Sequence, residues 1–323
     1  MTVCKGRHRL RHKRNSGFAL LVVVWGIGLI ATMVVAFMTS GRQRLQAANN
    51  IANAVAAGYV AEAAINLKTL ALVSKQSAVE NPDNDVAYDG APQFCIFDGA
   101  IVTVSIEDEG GKIDLNASSP ETLRSLLLGL GVSDKKAQEV SGSIMAFRAS
   151  PSATGSGRIA LESTRQKKPV PLKQALFETI TELDQVDGVD PELYRLLMRF
   201  VTVNSRSPGV DARAAPPALF AALAGYPAEI IRHLTAEPFP NTLNRKDPRF
   251  PAGLNQMSDR STLLIHAEAL LPGGQTSGRD ALLNLRPANG KPFAFREWRR
   301  SEPVHLEEMR RLRMMGVKGE PDC

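Results

Sequence analysis

The 323-residue sequence predicts an α+β protein. A long N-terminal helix, transmembrane and then amphipathic, packs on an antiparallel sheet, and a large all-helical insertion interrupts the sheet. Three observations predict this plan. A long uncharged apolar run follows a basic leader, short β-patterned segments lie far apart near residues 100 and 265, and the chain between them carries helical spacing with capping residues. An apolar fraction of 44% with 22% charged residues excludes collagen, low-complexity disorder and a disulfide-dense miniprotein.

Residues 1–17 form the first element, a cytoplasmic leader. Lys+Arg 39 against Asp+Glu 33 gives a formal net charge of +6. Lys5, Arg7, Arg9, Arg11, Lys13 and Arg14 account for all of it, because the leader holds no acid and the rest of the chain is formally neutral. The basicity is therefore a topology signal and not a nucleic-acid surface.

From Phe18 to Met38 the sequence FALLVVVWGIGLIATMVVAFM has no charge. As a helix it spans about 31 Å, the thickness of a bilayer core. A secretory signal peptide has a shorter apolar region and a small-residue cleavage site after it. The positive-inside bias places the leader in the cytoplasm and the later chain across the membrane. Leu45, Ala48, Ala52, Val55, Tyr59, Ala63, Leu67 and Leu70 then recur at steps of three or four without proline. This stripe extends the helix over residues 18–74, roughly 80 Å in all.

Residues 75–111 hold the first part of the sheet. A turn-rich stretch from Asn81 to Gln93 leads to GAIVTVSI at Gly99–Ile106, which alternates as a strand does. The second part occupies residues 259–300, with STLLIHAEALL at Ser261–Leu271 and ALLNL at Ala281–Leu285, and 301–323 is a C-terminal tail. The insertion, residues 112–258, opens on Gly111-Lys112-Ile113-Asp114-Leu115-Asn116. Ser118 and Glu121 form a capping-box pattern with Pro120 in the first turn, and the helix Thr122–Leu128 stops at Gly129. A second helix runs from Asp134 to Arg148 with apolar Ala137, Val140, Ile144 and Phe147. Weaker echoes lie at Glu182–Leu193 and at Gly209–Pro217 leading into Leu219–Leu223.

Ser16-Gly17-Phe18, with basic residues upstream and FALLVVVW downstream, resembles the prepilin-peptidase signal of type IV pilins and type II secretion pseudopilins. The resemblance implies cleavage after Gly17 and N-methylation of Phe18. Most such proteins carry Glu five residues into the mature chain, where this chain has Val22. A missing Glu within Leu20-Leu21-Val22-Val23-Val24-Trp25 is similar to the K family of minor pseudopilins, as are GKIDLN and the later EL…V.G…PELY pattern. That resemblance implies a pilin-like sheet and no catalytic activity. It places the protein at the tip of a type II secretion pseudopilus, where it initiates or caps assembly. Its implied partners are the I- and J-type minor pseudopilins, the major pseudopilin, the prepilin peptidase and the inner-membrane assembly platform. The implied location is a single pass of the inner membrane with a periplasmic C-terminal domain. Gly17 and Phe18 are then the processing residues. Val22, Leu45, Ala52, Val55, Tyr59, Ala63, Leu67 and Leu70 are the assembly residues. The K family is also associated with calcium. Its Asp-Trp-Arg-Asp-like run is replaced here by Ala146-Phe147-Arg148-Ala149-Ser150, which has no carboxylate, and Asp83, Asp85 and Asp89 read as a solvated turn, so no metal ligands are assigned.

The runner-up is a type IV pilus-like minor pilin or DNA-uptake component, because residues 112–148 also resemble a helix-hairpin-helix DNA-binding module. In Gly129-Leu130-Gly131-Val132-Ser133 the closing glycine is a serine, and in Val186-Asp187-Gly188-Val189-Asp190 two acids stand where a phosphate would dock. The net charge of +1 over 112–148 is too small for backbone tracking, so no nucleic-acid partner is expected. Enzyme signatures are weaker still. Outside the leader, His233, His266 and His305 are widely separated, and Ser133-Asp134-Lys135-Lys136 fits S-x-x-K but reads as a helix N-cap. Gly110-Gly111-Lys112 lacks the first glycine and the hydroxyl residue of a P-loop. Of the cysteines, Cys4 leaves with the leader. Cys95 and Cys323 could pair in an oxidising compartment, although two isolated cysteines are more often unpaired.

Overall fold

The computed structural model describes residues 16–77, 88–149, 174–288 and 290–316. Residues 1–15 of the expected leader, Asp83, Asp85, the stretch 150–157 and Cys323 lie outside them. The chain divides into two units, residues 1–54 and 55–323. Helix α1 (Ser16–Ser77) begins in the first unit, where every residue from 18 to 39 is exposed and Phe18, Val22 and Trp25 are among the exposed apolar side chains. Among the described residues it is the one helix long and apolar enough to cross a membrane.

The second unit is built on a five-stranded antiparallel sheet of order β1-β2-β5-β6-β7. Its strands are β1 (Gln93–Phe97), β2 (Ala100–Asp108), β5 (Thr262–Leu270), β6 (Thr276–Asn284) and β7 (Ala294–Ser301). Alternation places Val102, Val104 and Ile106 of β2 with Leu263, Ile265, Ala267 and Ala269 of β5 on one face, and β6 adds Ala281 and Leu283. The later part of α1 covers this face with Ala57, Ala61, Ala64, Ile65 and Leu72, all buried. The sheet-facing side is thus not the large-residue stripe of the sequence. Leu45, Val55, Tyr59, Leu67 and Leu70 are 43–67% exposed, Ala52 is exposed and Ala63 is half-buried. Small side chains suit this role because they let a helix axis approach a sheet closely. A Cβ at Gly58 would strike the Arg279 guanidinium.

The opposite face is covered by α7 (Leu306–Met314), whose Met309 is fully buried. The segment expected to be a tail therefore contains a helix. Its apolar contribution comes from so few residues that no periodicity was visible. Strands β1 and β7 are also additional to the expected ones.

Between β2 and β5 a second core forms around α2 (Pro120–Gly129), α3 (Asp134–Arg148), α4 (Pro191–Leu197), α5 (Pro217–Leu223) and α6 (Ala228–Ala236). Leu115, Leu126, Ile144, Phe147, Leu183, Leu197 and Phe220 are at its centre. The region is not all-helical. Strand β3 (Ile113–Asp114) pairs in parallel with β4 (Val201–Thr202), too short a ladder to leave a two-residue alternation. Helix α3 has the expected bounds, whereas α2 starts two residues before the expected Thr122, and its N-cap is one residue later than the capping box implied. Ser119, not Ser118, is its N-cap and accepts from the Thr122 amide, with Pro120 at the first helical position. The preceding turn consumes Ser118, whose amide donates to the Asp114 carbonyl.

Candidate functional site

The GKIDLN element is where the sheet passes into the helical region, and each of its residues has a structural task. Gly111 lies against the Ala214 backbone, where a Cβ would not fit. Lys112 is buried, with Nζ 2.6 Å from Glu107 Oε2 and 3.0 Å from Glu109 Oε1. Burial opposes its charge, but the two carboxylates outweigh that and hold its pKa above the ordinary lysine value. Glu109, itself buried, also accepts from the Thr202 hydroxyl of β4. Ile113 donates to the Phe200 carbonyl and Leu115 to that of Thr202, so β3 is hydrogen-bonded to the β4 region. The Asp114 carboxylate accepts from the amides of Asn116, Ala117 and Arg206 and from the Ser205 hydroxyl. The Asn116 side chain bridges the Phe177 amide and carbonyl at 2.8 and 2.9 Å.

Beside it, Asp108 accepts from the Gly110 amide at 2.8 Å and the Ser258 hydroxyl at 2.9 Å. Burial pushes its carboxyl up to about 6. Asp211 accepts from the Ser258 amide and from the backbone and guanidinium of Arg213. The acidic residues of this junction are thus engaged by protein donors. Among the described residues no group of three or more His, Cys, Asp or Glu is placed to hold a metal ion.

Gly131 and Gly188, the glycines of the two expected hairpins, both lie in the left-handed region, at φ +84 and +86. The second is closed to an anion by its own side chain. Asp190 caps α4, accepting from the amides of Glu192 (3.1 Å) and Leu193 (2.8 Å), and Lys136 of α3 donates to it at 2.6 Å. The lysine of the S-x-x-K pattern is therefore committed to a carboxylate. Ser133 occupies the α3 N-cap position without a side-chain capping bond.

The sheet brings together two histidines that the sequence keeps apart. His266 and His305 lie with ring centroids 6.5 Å apart. His266 Nδ1 is 2.6 Å from Asp280 Oδ1 and its Nε2 is 2.8 Å from Glu268 Oε1, while Arg299 donates to Asp280 at 2.9 Å. Burial alone would lower the His266 pKa, but the hydrogen bonds and charge of the two carboxylates push it up to about 9. Fully buried Glu268 accepts the amides of Val304 (2.7 Å) and His305 (3.0 Å), the residues that lead into α7. With both imidazole nitrogens bound to carboxylates, His266 acts as a counter-ion that fixes the C-terminal helix. Cys95 on β1 is disulfide-bonded.

Of the expected assembly residues, the structure leaves Val22, Leu45, Ala52, Val55, Tyr59, Leu67 and Leu70 exposed, and Gly17 falls in the first turn of α1. The Lys112 and His266 networks were not visible as sites: Glu107, Glu109 and Glu268 lie within a few residues of their partners, but only the fold buries these groups and adds Thr202, Asp280 and Ser301.

Residues 99–206 match the family model described as type II secretion system (T2SS), protein K. A chain of the GspK-GspI-GspJ complex from the enterotoxigenic Escherichia coli type 2 secretion system is similar at 15% identity with a TM-score of 0.49. That match covers 80% of this chain and 100% of the other. No curated protein matches the chain.

Proposed function

We propose that this chain, a type II secretion minor pseudopilin of the K family, stands at the pseudopilus tip and initiates or caps its assembly for protein export across the outer membrane. The match of residues 99–206 to the protein K model carries the family reading. The exposed apolar start of α1 supports a single inner-membrane anchor, with the leader in the cytoplasm and residues 55–323 in the periplasm. The prepilin peptidase cuts after Gly17 and leaves Phe18 as the methylated N-terminus. The exposed stripe of α1, Leu45 to Leu70, packs against the I- and J-type minor pseudopilins, with the assembly platform and the major pseudopilin below.

Tip placement follows from Val22. A carboxylate in the hydrocarbon core is expensive unless it meets a cation, such as the terminal amine of a neighbouring subunit. Without one, this subunit offers nothing to recruit by that route and fits an end of the filament. The nucleic-acid alternative has no support in the hairpins, whose second amide cradle is filled by Asp190.

The test is Gly17→Ala in the native chain. The expected product keeps its leader, visible by intact-mass measurement, and secretion through the system stops. Normal trimming and normal secretion by that variant would overturn the assignment.

A further inference from the structure

Strand β7 is one edge of the sheet and is bonded to β6 alone. Its sequence AFREWRRS contains neither proline nor glycine, so its outer row of amides and carbonyls can pair with another strand. The register passes from Leu282 opposite Glu297 to Leu283 opposite Phe295, leaving Arg296 as the extra residue of a bulge. Residues 297–301 beyond it are regularly paired.

Trp298 stands opposite Ala281, on the face of the sheet that α1 covers, yet is 39% exposed. It meets Phe295 edge-on at 4.9 Å, and Phe295 meets Phe293 at 5.6 Å, so a short aromatic ridge runs along this border. Arg300 stands opposite Arg279, whose guanidinium is engaged by Glu62 at 2.9 Å and by Ser277 at 3.0 Å. Among the described residues Arg300 itself makes no ion pair. On the reverse face Arg299 is held by Asp280 and Glu297. An anchored tryptophan beside an unneutralised arginine is a composition that concentrates binding energy. Three arginines against one glutamate give this strand a net positive charge, which disfavours a second copy and favours acid.

We infer that β7 receives an acidic edge strand of another minor pseudopilin and extends the sheet past its fifth strand. A carboxylate of the incoming strand lies against Arg300, and an apolar side chain lies against Trp298. The inference rests on the proposed function for the class of partner and adds the surface that receives it.

Purified I- and J-type minor pseudopilins of the same system are the probes, tested against the full chain in detergent. Arg300→Glu and, separately, Trp298→Ala are expected to weaken binding to one of the two probes at least tenfold, with melting of the free Arg300→Glu variant unchanged. Amide exchange across 297–301 is expected to slow in the complex, which a side-chain contact alone would not produce. Unaltered affinity in both variants with unprotected amides, while Tyr59→Asp still weakens binding, would overturn this inference and leave the function standing. Binding of neither probe by the unmodified chain would overturn the function itself. Sedimentation that shows β7-dependent self-association would replace the heterologous partner with a second copy and refute the charge argument.

Discussion

Replacing Lys112 by methionine removes the cation from a pocket where Glu109 is 3% exposed and the lysine side chain 6% exposed. The variant fills much the same volume but strands a buried carboxylate that keeps, among the described residues, only its Thr202 hydroxyl donor. Breaking a buried pair on one side costs about 3–5 kcal/mol. Glu107 adds little to this, because its side chain is 36% exposed and water takes over its solvation. With a urea m-value of about 2 kcal/mol/M, the midpoint should fall by about 1.5–2.5 M. The assay is urea unfolding of the full chain in detergent, followed by tryptophan fluorescence. The triple variant Lys112→Met, Glu107→Gln, Glu109→Gln should regain most of the loss, since no buried charge is then left unpaired. A midpoint shift below about 0.3 M for Lys112→Met would refute the claim that this ion cluster holds the junction.

The remaining predictions concern the sheet and the helix. His266 has its pKa raised from 6.5 to about 9, so its contribution to stability is fully present below pH 6.5 and lost as pH rises through 9. Glu268 and Asp280 are shifted below the ordinary carboxylate range, so their contribution holds at neutral pH and disappears in acid. Melting temperatures between pH 6 and 10 should fall more steeply in the native chain than in His266→Gln, and parallel curves would exclude the linkage. Ala64→Leu should cost about 1–3 kcal/mol by forcing α1 off the sheet, whereas Leu67→Ala, on the exposed stripe, should cost under about 0.5 kcal/mol while impairing tip assembly. Equal destabilisation in chemical unfolding would mean the two faces of α1 are wrongly assigned. Val22→Glu should change the number or length of pseudopili seen by electron microscopy, and unchanged filaments would remove the tip argument.

The parts of the fold that could be read from sequence were those with strong local signals. The uncharged run 18–38, the alternation in β2 and β5 and the bounds of α3 all depend on residues close together in the chain. The helix face that meets the sheet was hidden because it is made largely of alanine, while Val55, Tyr59, Leu67 and Leu70 drew the periodicity to the other side. Strand β7 was masked by its charges, which an exposed edge tolerates and a buried strand would not. The Lys112 cluster joins β2 to β4, and the His266 cluster joins β5, β6 and β7. Each contains a charged pair close in sequence, Lys112 with Glu109 and His266 with Glu268, but such spacings also occur on solvated surfaces, and only the strand order buries them and adds Thr202 and Asp280. The capping residue of α2 was misplaced by one position because Glu121, three residues after Ser118, drew the capping box there, whereas Pro120 takes the first helical position and leaves Ser119 as the N-cap.

The pairing of β2 with β5 sets Asp108 beside Leu263, with the whole helical region threaded between them. Closing so long a span from a random coil is entropically costly and slow, although each doubling of length adds only about 0.6 kcal/mol. The bond from Ser258 to Asp108 and that from Asp211 to the Gly110 carbonyl draw the two ends of the span together at its root. A globule that condenses first would deliver its exit beside its entrance and shorten the search for the central strands. The expected order of folding then follows from topology: the helical region condenses first, the hairpin of β1 and β2 waits, and the sheet is completed only when β5 to β7 are in place.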